Sequence, residues 1–507
     1  MAYCLSSFGL GVCLAGCAVG PDYHEPQMKV PDAFVAASTA ASPGTTGPTV
    51  DVATWWRALN DAQLNSLIDR AIQANPSLEI ALTRLQEART FEVAITGLAL
   101  PELEASAGAG RGTGSNLTRG RVSPPLNAAS NTAGLQEINY VGGFDAVWEI
   151  DLFGRYRRAI EAARYDTQAM AAARNAVLIS VVADVARAYV DMRGLQTQLA
   201  VLRQNIRTAQ TSLDLVQARF DRGIINELDV TLARRQLAAF QSQVAPLAAQ
   251  ITAAQYAIAV LVGQFPEDLA KELEQPGLVP QVPERIDTGL PLDLIRRRPD
   301  IREAERQLAG ATARIGVATA NLFPRVAITA GAGGQGQGLG VTPATSQSIW
   351  SAGVLATWPL LDFGTLDALV DVADLRTHEL LVNYKRTVLN AVQEVDTAMT
   401  GYAAQQDRLR NLGDALAASQ RAVSLASQRY DRGLTDYLNV VDAQRQEYDL
   451  AAQYASAQMA AAEQLVTLYK GLGGGWEQYQ SIPPIRQPQP AVVAAFRRVL
   501  APEDPQK

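Results

Sequence analysis

The stretch FDAVWEIDL, Phe144 to Leu152, decides how this chain is read. Phe144, Ala146, Trp148, Ile150 and Leu152 alternate with Asp145, Val147, Glu149 and Asp151. A period of two puts one set on each face of a β-strand. One face is greasy and the other largely acidic, which suits lipid on one side and water on the other. A second copy follows: Trp350, Ala352, Val354, Ala356, Trp358 and Leu360 alternate with Ser351, Gly353, Leu355 and Thr357. Trp358 lies 210 residues beyond Trp148.

Two weaker alternating runs, ELEASAGAG after Pro101 and RVAITAGAG after Pro324, complete two hairpins and bring the total to four strands. Trp148, Trp350 and Trp358 stand near strand ends, where outer-membrane barrels carry aromatic girdles. The run GAGGQGQGLG, Gly331 to Gly340, lacks the Lys and following helix of a phosphate cradle and reads as a flexible surface loop.

Long helices flank the hairpins. No proline occurs between Pro125 and Pro246 or between Pro359 and Pro483, although the chain holds 25. An interior proline costs about 3 kcal/mol, so such gaps are what long helices require. From Leu178 through Val181, Val185, Ala188, Met192 and Leu195 to Val216 and Phe220, apolar positions step by three and four without a slip. Adding 210 keeps the phase, with only Gln405 and Ser419 polar. Each seam ends in nearly the same turn: RFDRGIINELDV at Arg219 to Val230, and RYDRGLTDYLNV at Arg429 to Val440. Gly223 and Gly433 supply the left-handed residue that ends a helix. Each copy is thus an antiparallel helical hairpin with a DRG tip, and the first return helix is interrupted by Pro246. Read alone, these helices favour a coiled-coil stalk or an elongated bundle.

Asn75-Pro76 and Pro101 align with Arg298-Pro299 and Pro324 at an offset of 223. The chain is therefore a duplicated unit of short helix, two strands, long helix, tip and return helix. Residues 17–263 form the first repeat and 299–475 the second, with tips near 221–229 and 431–439. A Pro- and charge-rich linker, 264–298, joins them, and a tail, 476–507, follows; its last twenty or so residues are expected to be poorly ordered.

Residues 1–16 read as an export signal, apolar and too short to span a bilayer. Leu14-Ala-Gly-Cys17 resembles the bacterial lipoprotein cleavage box, which makes Cys17 the expected lipidated residue, although the n-region has no Lys or Arg. Cys4 and Cys13 leave with the signal, so the mature chain keeps no disulfide and no Cys-based metal cage. Past residue 17 no run is expected to reach the roughly 18 apolar residues of a spanning helix. A membrane crossing must then use strands. Four strands cannot close a barrel, because the smallest membrane barrels have about eight. The barrel must be shared between chains, and three chains supply 12 strands and a wide bore.

Composition excludes several functions. A net charge of -7 and a pI near 5.2 leave no basic surface for nucleic acid. The two histidines, His24 and His378, and the lack of GxxxxGK[ST], HExxH or GxSxG give no enzyme site, cofactor or metal.

The stretches CAVGPDY (Cys17 to Tyr23), WEIDLFG (Trp148 to Gly154), LIRRRPDIREAERQLAGATARIGVATANLFPRVAITAGAG (Leu294 to Gly333) and both tips resemble the outer-membrane factor family. These are TolC-like exit ducts of tripartite efflux pumps, and the likeness is to their lipoprotein branch. The resemblance implies an α+β membrane protein: a homotrimer with a 12-stranded β-barrel that continues into a long α-helical coiled-coil barrel. It implies a location in the outer membrane, lipid-anchored and extending into the periplasm. Its expected partners are outer-membrane lipid, a periplasmic adaptor and an inner-membrane RND-type pump. The duct would be passive, closed at its periplasmic end and opened by the adaptor. Gly223, Gly433, Arg222 and Arg432 fall where adaptor tips dock. For the gate, Tyr430 matches a tyrosine linked to Asp229, Asp442 matches an acidic ring, and Asn439 stands where a second ring would be. Thr435 replaces an Arg latch of the best-known member. The alternatives are the exit duct of a type I protein-secretion system and a non-conducting periplasm-spanning scaffold.

Overall fold

A computed structural model describes residues 18–29, 31–35, 51–110, 138–283, 297–338 and 345–479. Cys17 and the tail beyond 479 lie outside them.

The first repeat opens with α1 (Ala62–Ala74) and α2 (Pro76–Gly97), followed by β1 (Glu102–Gly110) and β2 (Ile138–Ile150). The long helix α3 (Arg155–Asp221) leads to the tip, and α4 (Glu227–Ser242) and α5 (Val244–Leu261) return from it. In the linker, α6 spans Pro266–Leu273. The second repeat comprises α7 (Pro299–Ala320), β3 (Arg325–Gly338), β4 (Thr345–Thr357), α8 (Thr365–Asp431) and α9 (Tyr437–Gly471). The return path breaks at Gln243, three residues before Pro246, because proline removes the N–H and collides with the preceding turn.

The duplication holds to the residue. Both α3 and α8 contain 67 residues. Each starts after a glycine in the left-handed region, Gly154 at φ 84° and Gly364 at φ 82°. Contacts repeat as well as lengths. Trp148 donates its indole N–H to the Ala99 carbonyl at 3.1 Å, and Trp358 donates to that of Leu322 at 2.9 Å. Asn75 donates to the Leu261 carbonyl at 2.7 Å, and Arg298 to that of Gly471 at 2.7 Å. Within each pair the donors and acceptors stand at the expected offsets of 210 and 223.

The four strands form one antiparallel sheet in chain order. Its register confirms the alternation read from FDAVWEIDL. Leu103, Ala146, Ala330 and Ala352 stand in one row, and Ala105, Phe144, Ala332 and Trp350 in the next. Trp148, Ile328 and Val354 follow on the same face. Phe144, Trp350 and Val354 are exposed, so this apolar face has no partner among the described residues. The opposite face carries Glu104 across from Asp145. β1 and β4 are edge strands. Trp350 and Trp358 are eight residues apart, about 26 Å of extended chain at ~3.3 Å per residue. That is close to the ~25 Å height of the apolar band of a membrane barrel.

Two expectations are corrected. The glycine-rich run is no loop: Gly331 to Gly338 continues β3, paired with β2 on one side and β4 on the other. Missing side chains are what allow this. A Cβ on Gly333 would lie 2.5 Å from the Gly142 carbonyl oxygen, and one on Gly143 would lie 2.8 Å from that of Ala332. Hydropathy also differs from the sequence reading. Two helical stretches, Arg155–Asp221 and Glu227–Leu261, hold 18-residue windows with mean hydropathy 1.5, long and apolar enough to cross a membrane. Both are alanine-rich parts of the helical body. The window in α3 is half-buried, in a helix where Gly194 meets Met459 on α9, whereas the window in Glu227–Leu261 is largely exposed within the chain.

Helix α9 packs antiparallel along α3. Gln198 bonds Ser456 at 3.1 Å, Arg187 bonds Thr467 at 3.4 Å, and Glu463 lies beside Asp191 between them. Burial, followed by the adjacent Asp191 carboxylate, raises the Glu463 carboxyl from 4.5 to about 8 against the opposing effect of Arg187. The folded chain thus keeps a proton that the unfolded chain has released. Stability is greatest below about pH 4.5 for this group and is lost as pH rises toward 8. Melting temperatures from pH 5 to 9 should show this decline, and Glu463→Gln should flatten it.

Candidate functional site

The two tips lie side by side at the end of the helical body. Both close in the same way. Gly223 N–H donates to the Phe220 carbonyl and Ile224 N–H to that of Arg219; Gly433 and Leu434 repeat this on Tyr430 and Arg429. This is the Schellman pattern, and it needs the left-handed residue. Gly223 and Gly433 supply it at φ 70° and 71°. A Cβ on either would meet nothing within 4 Å. Within one chain their requirement is therefore conformational, and close approach can come only from another molecule. Arg222 and Arg432 are exposed beside them, as are the matched pairs Ile224 with Leu434 and Leu228 with Leu438.

Behind the turns, Val216, Val230, Ala233, Tyr430, Tyr437, Val440 and Val441 form a small core separate from the main one. Tyr430 and Tyr437 rings lie 5.3 Å apart. The Tyr430 hydroxyl is buried and, among the described residues, makes no hydrogen bond to Asp229 or to any other group. Arg219 dominates this neighbourhood instead. Its guanidinium sits 4.7 Å from the Tyr430 ring centre and pairs with Asp431 at 2.9 Å. Asp229 is close by, raised above its ordinary value by burial and then by the charge of Asp436. Burial likewise raises Tyr430, with Arg219 opposing.

Asp442 is exposed one turn beyond Asn439. Asn439 donates to the Thr435 hydroxyl at 2.8 Å, which occupies both polar side chains locally. Arg219 was not singled out from the sequence, although it opens the first quoted tip. Only the neighbouring hairpin shows its partner, because Asp431 lies 212 residues away. Among the described residues no group of three His, Cys, Asp or Glu is arranged to hold a metal ion.

At the other end of the helices, the segment after Cys17 is pinned to the junction of barrel and helix. Val19 N–H donates to the Phe153 carbonyl at 3.1 Å. Arg158, itself buried, donates to the Val19 and Gly20 carbonyls and pairs with Asp22 and Glu161, each at 2.8 Å. A Cβ on Gly20 would lie 2.4 Å from Gly316 Cα, so the strap crosses α7 in direct backbone contact.

The sequence profile of the family described as outer membrane efflux protein matches residues 67–264 and 290–474. The chain belongs to that family. The toluene efflux pump outer membrane protein TtgF of Pseudomonas putida is 30% identical over 485 residues, 94% of this chain and 98% of TtgF. Nodulation protein T of Rhizobium leguminosarum bv. trifolii is 29% identical over 471 residues, 91% of this chain and 95% of its own length. The solved outer-membrane channel OprN superposes with a TM-score of 0.81 at 33% identity, covering 92% of this chain and all of that one. This outer membrane efflux protein shares with such channels a β-barrel continued by a long helical barrel. The family is a duct family and not an enzymatic one.

Proposed function

We propose that three copies of this outer membrane efflux protein form the passive exit duct of a tripartite efflux pump. The observation that carries this is the sheet: four strands, two open edges and one continuous apolar face. In lipid each unpaired backbone group costs several kcal/mol, so the edges must meet those of other copies. Three copies give 12 strands, each chain contributing four. The pinned strap supports a lipid anchor at Cys17, because it delivers residue 18 against Gly154, just past the end of β2.

The tips are read as the gated mouth. Their exposed arginines and matched apolar side chains suit an adaptor's helical tips, and an inner-membrane pump of the RND type would supply the energy. Asp442 would form a ring of three carboxylates about the axis. Single links of this kind are worth about 0 to 1 kcal/mol for an ion pair and about 1 for a hydrogen bond. A closed mouth held by several of them stays breakable by adaptor binding.

Planar-bilayer recordings of the purified protein test this. The wild type should conduct weakly, and Asp442→Ala should raise single-channel conductance. A protein that stays silent in every variant would be a scaffold and not a duct.

A further inference from the structure

The contacts between the two repeats within one chain form a template for contacts between chains. In a ring of three chains the repeats alternate, so the second repeat of one protomer faces the first repeat of the next. Each first-to-second contact in the chain then has a counterpart across the subunit boundary, found by shifting the residues by the repeat offsets.

Two in-chain contacts transfer with chemistry intact. At the tips, Arg219 pairs with Asp431 at 2.9 Å. Its counterpart is Arg429 with Asp221, both exposed. At the membrane end, the Phe153 and Phe323 rings stack at 4.6 Å. Their counterparts are Phe363 and Leu100, which are 91% and 63% exposed within the chain. Phe363 is also held at φ 54°, a left-handed backbone that costs a bulky residue energy unless its surroundings enforce it. Four surface residues thus fall into one cationic–anionic pair and one apolar pair.

We propose that Arg429 and Phe363 of one protomer dock on Asp221 and Leu100 of a second copy, one contact at each end of the shared boundary. The proposal rests on the trimeric reading above. The two kinds of joint are unequal. Tyr437 and Val441 of the in-chain tip core correspond to Glu227 and Thr231. The boundary between chains therefore holds less apolar surface at the tips, and the Arg429 pair carries more of the contact there. The joints that part when the mouth widens are then those between protomers.

Cysteine cross-linking tests the assignment. The chain's own cysteines are Cys4, Cys13 and Cys17, all within the first 17 residues of the sequence. The doubly substituted Arg429→Cys, Asp221→Cys protein, oxidised with copper phenanthroline in detergent, should run as a covalent trimer on non-reducing denaturing gels. Each single variant should run as a monomer. Arg219→Cys with Asp431→Cys should close within the chain and also run as a monomer. Phe363→Cys with Leu100→Cys should again give the covalent trimer. Light scattering on the same samples separates the two levels of the argument. Trimers that fail to cross-link at either pair overturn this docking while leaving the duct intact; a chain that is monomeric before oxidation overturns the duct itself.

Discussion

Replacing Arg193 with alanine should destabilise the folded chain by about 3 to 5 kcal/mol, the cost expected when a buried charged hydrogen-bond centre is removed from its partners. Arg193 is 6% exposed. It donates to the Tyr189 hydroxyl at 3.0 Å, to Gln196 at 2.7 Å and to the Gln275 carbonyl at 2.8 Å, and it also binds Gln63. Tyr189 in turn donates to Asp61 at 2.7 Å, the residue that caps α1. One guanidinium therefore joins α1, α3 and the linker. The chain passes so close over it that a Cβ on Gly277 would lie 2.7 Å from its Cζ. Lysine should rescue little, because a single ammonium cannot replace a planar fork aimed at several acceptors. Denaturant unfolding gives the energy, and limited proteolysis between residues 264 and 283 should show the linker released first.

The second large effect is expected at Gly333. Its alanine variant introduces one methyl group against the backbone of β2, with 2.5 Å to the Gly142 oxygen and 2.8 Å to Gly143 Cα. Backbone cannot yield as a side-chain end does. The β2–β3 pairing joins the hairpins of the two repeats, so separating these strands opens ladder groups to lipid at several kcal/mol each. Gly333→Ala should abolish most heat-resistant trimer in outer-membrane extracts, read on semi-native gels. The adjacent Gly334→Ala is the control: its Cβ would meet only the Gln347 carbonyl oxygen, at 3.7 Å, an ordinary contact. Equal losses for both would show that crowding at residue 333 is not the cause.

Periodicity made most of the fold legible. The alternation from Phe144 to Leu152, the heptad seam from Leu178 and the two DRG turns each report a local geometry, and the observed strands and helices follow them. The Gly331 to Gly338 extension of β3 was hidden because glycine carries no periodic signal: a run that fits a tight sheet looks the same as one that bends freely. The buried arginines were hidden for a different reason. Arg158 and Arg193, and the half-buried Arg298, read as surface charges until distant chain segments close over them, and no local pattern encodes that closure. Arg298 makes the point well. Within its motif it meets Asp300 at 2.7 Å, two residues on, but its pairing with Glu394 at 2.8 Å depends on α8 packing beside α7. At the tips, the family match picked out Tyr430, which lies in the small core behind the turns. The family position did not reveal that Arg219 stands over its ring.

The equal lengths of α3 and α8 set a rule for how such a protein can change. Deleting one heptad from α3 alone would shorten it by about 10 Å at ~1.5 Å per residue, leaving three ends of the mouth recessed behind the other three. Any partner that seats on all six at once would then touch only half of them. Shortening or lengthening is tolerable only when all four arms, outward and returning in both halves, are cut or extended together. The length of the helical body is thus fixed fourfold over, and changing it requires coordinated edits at four separate places in the gene.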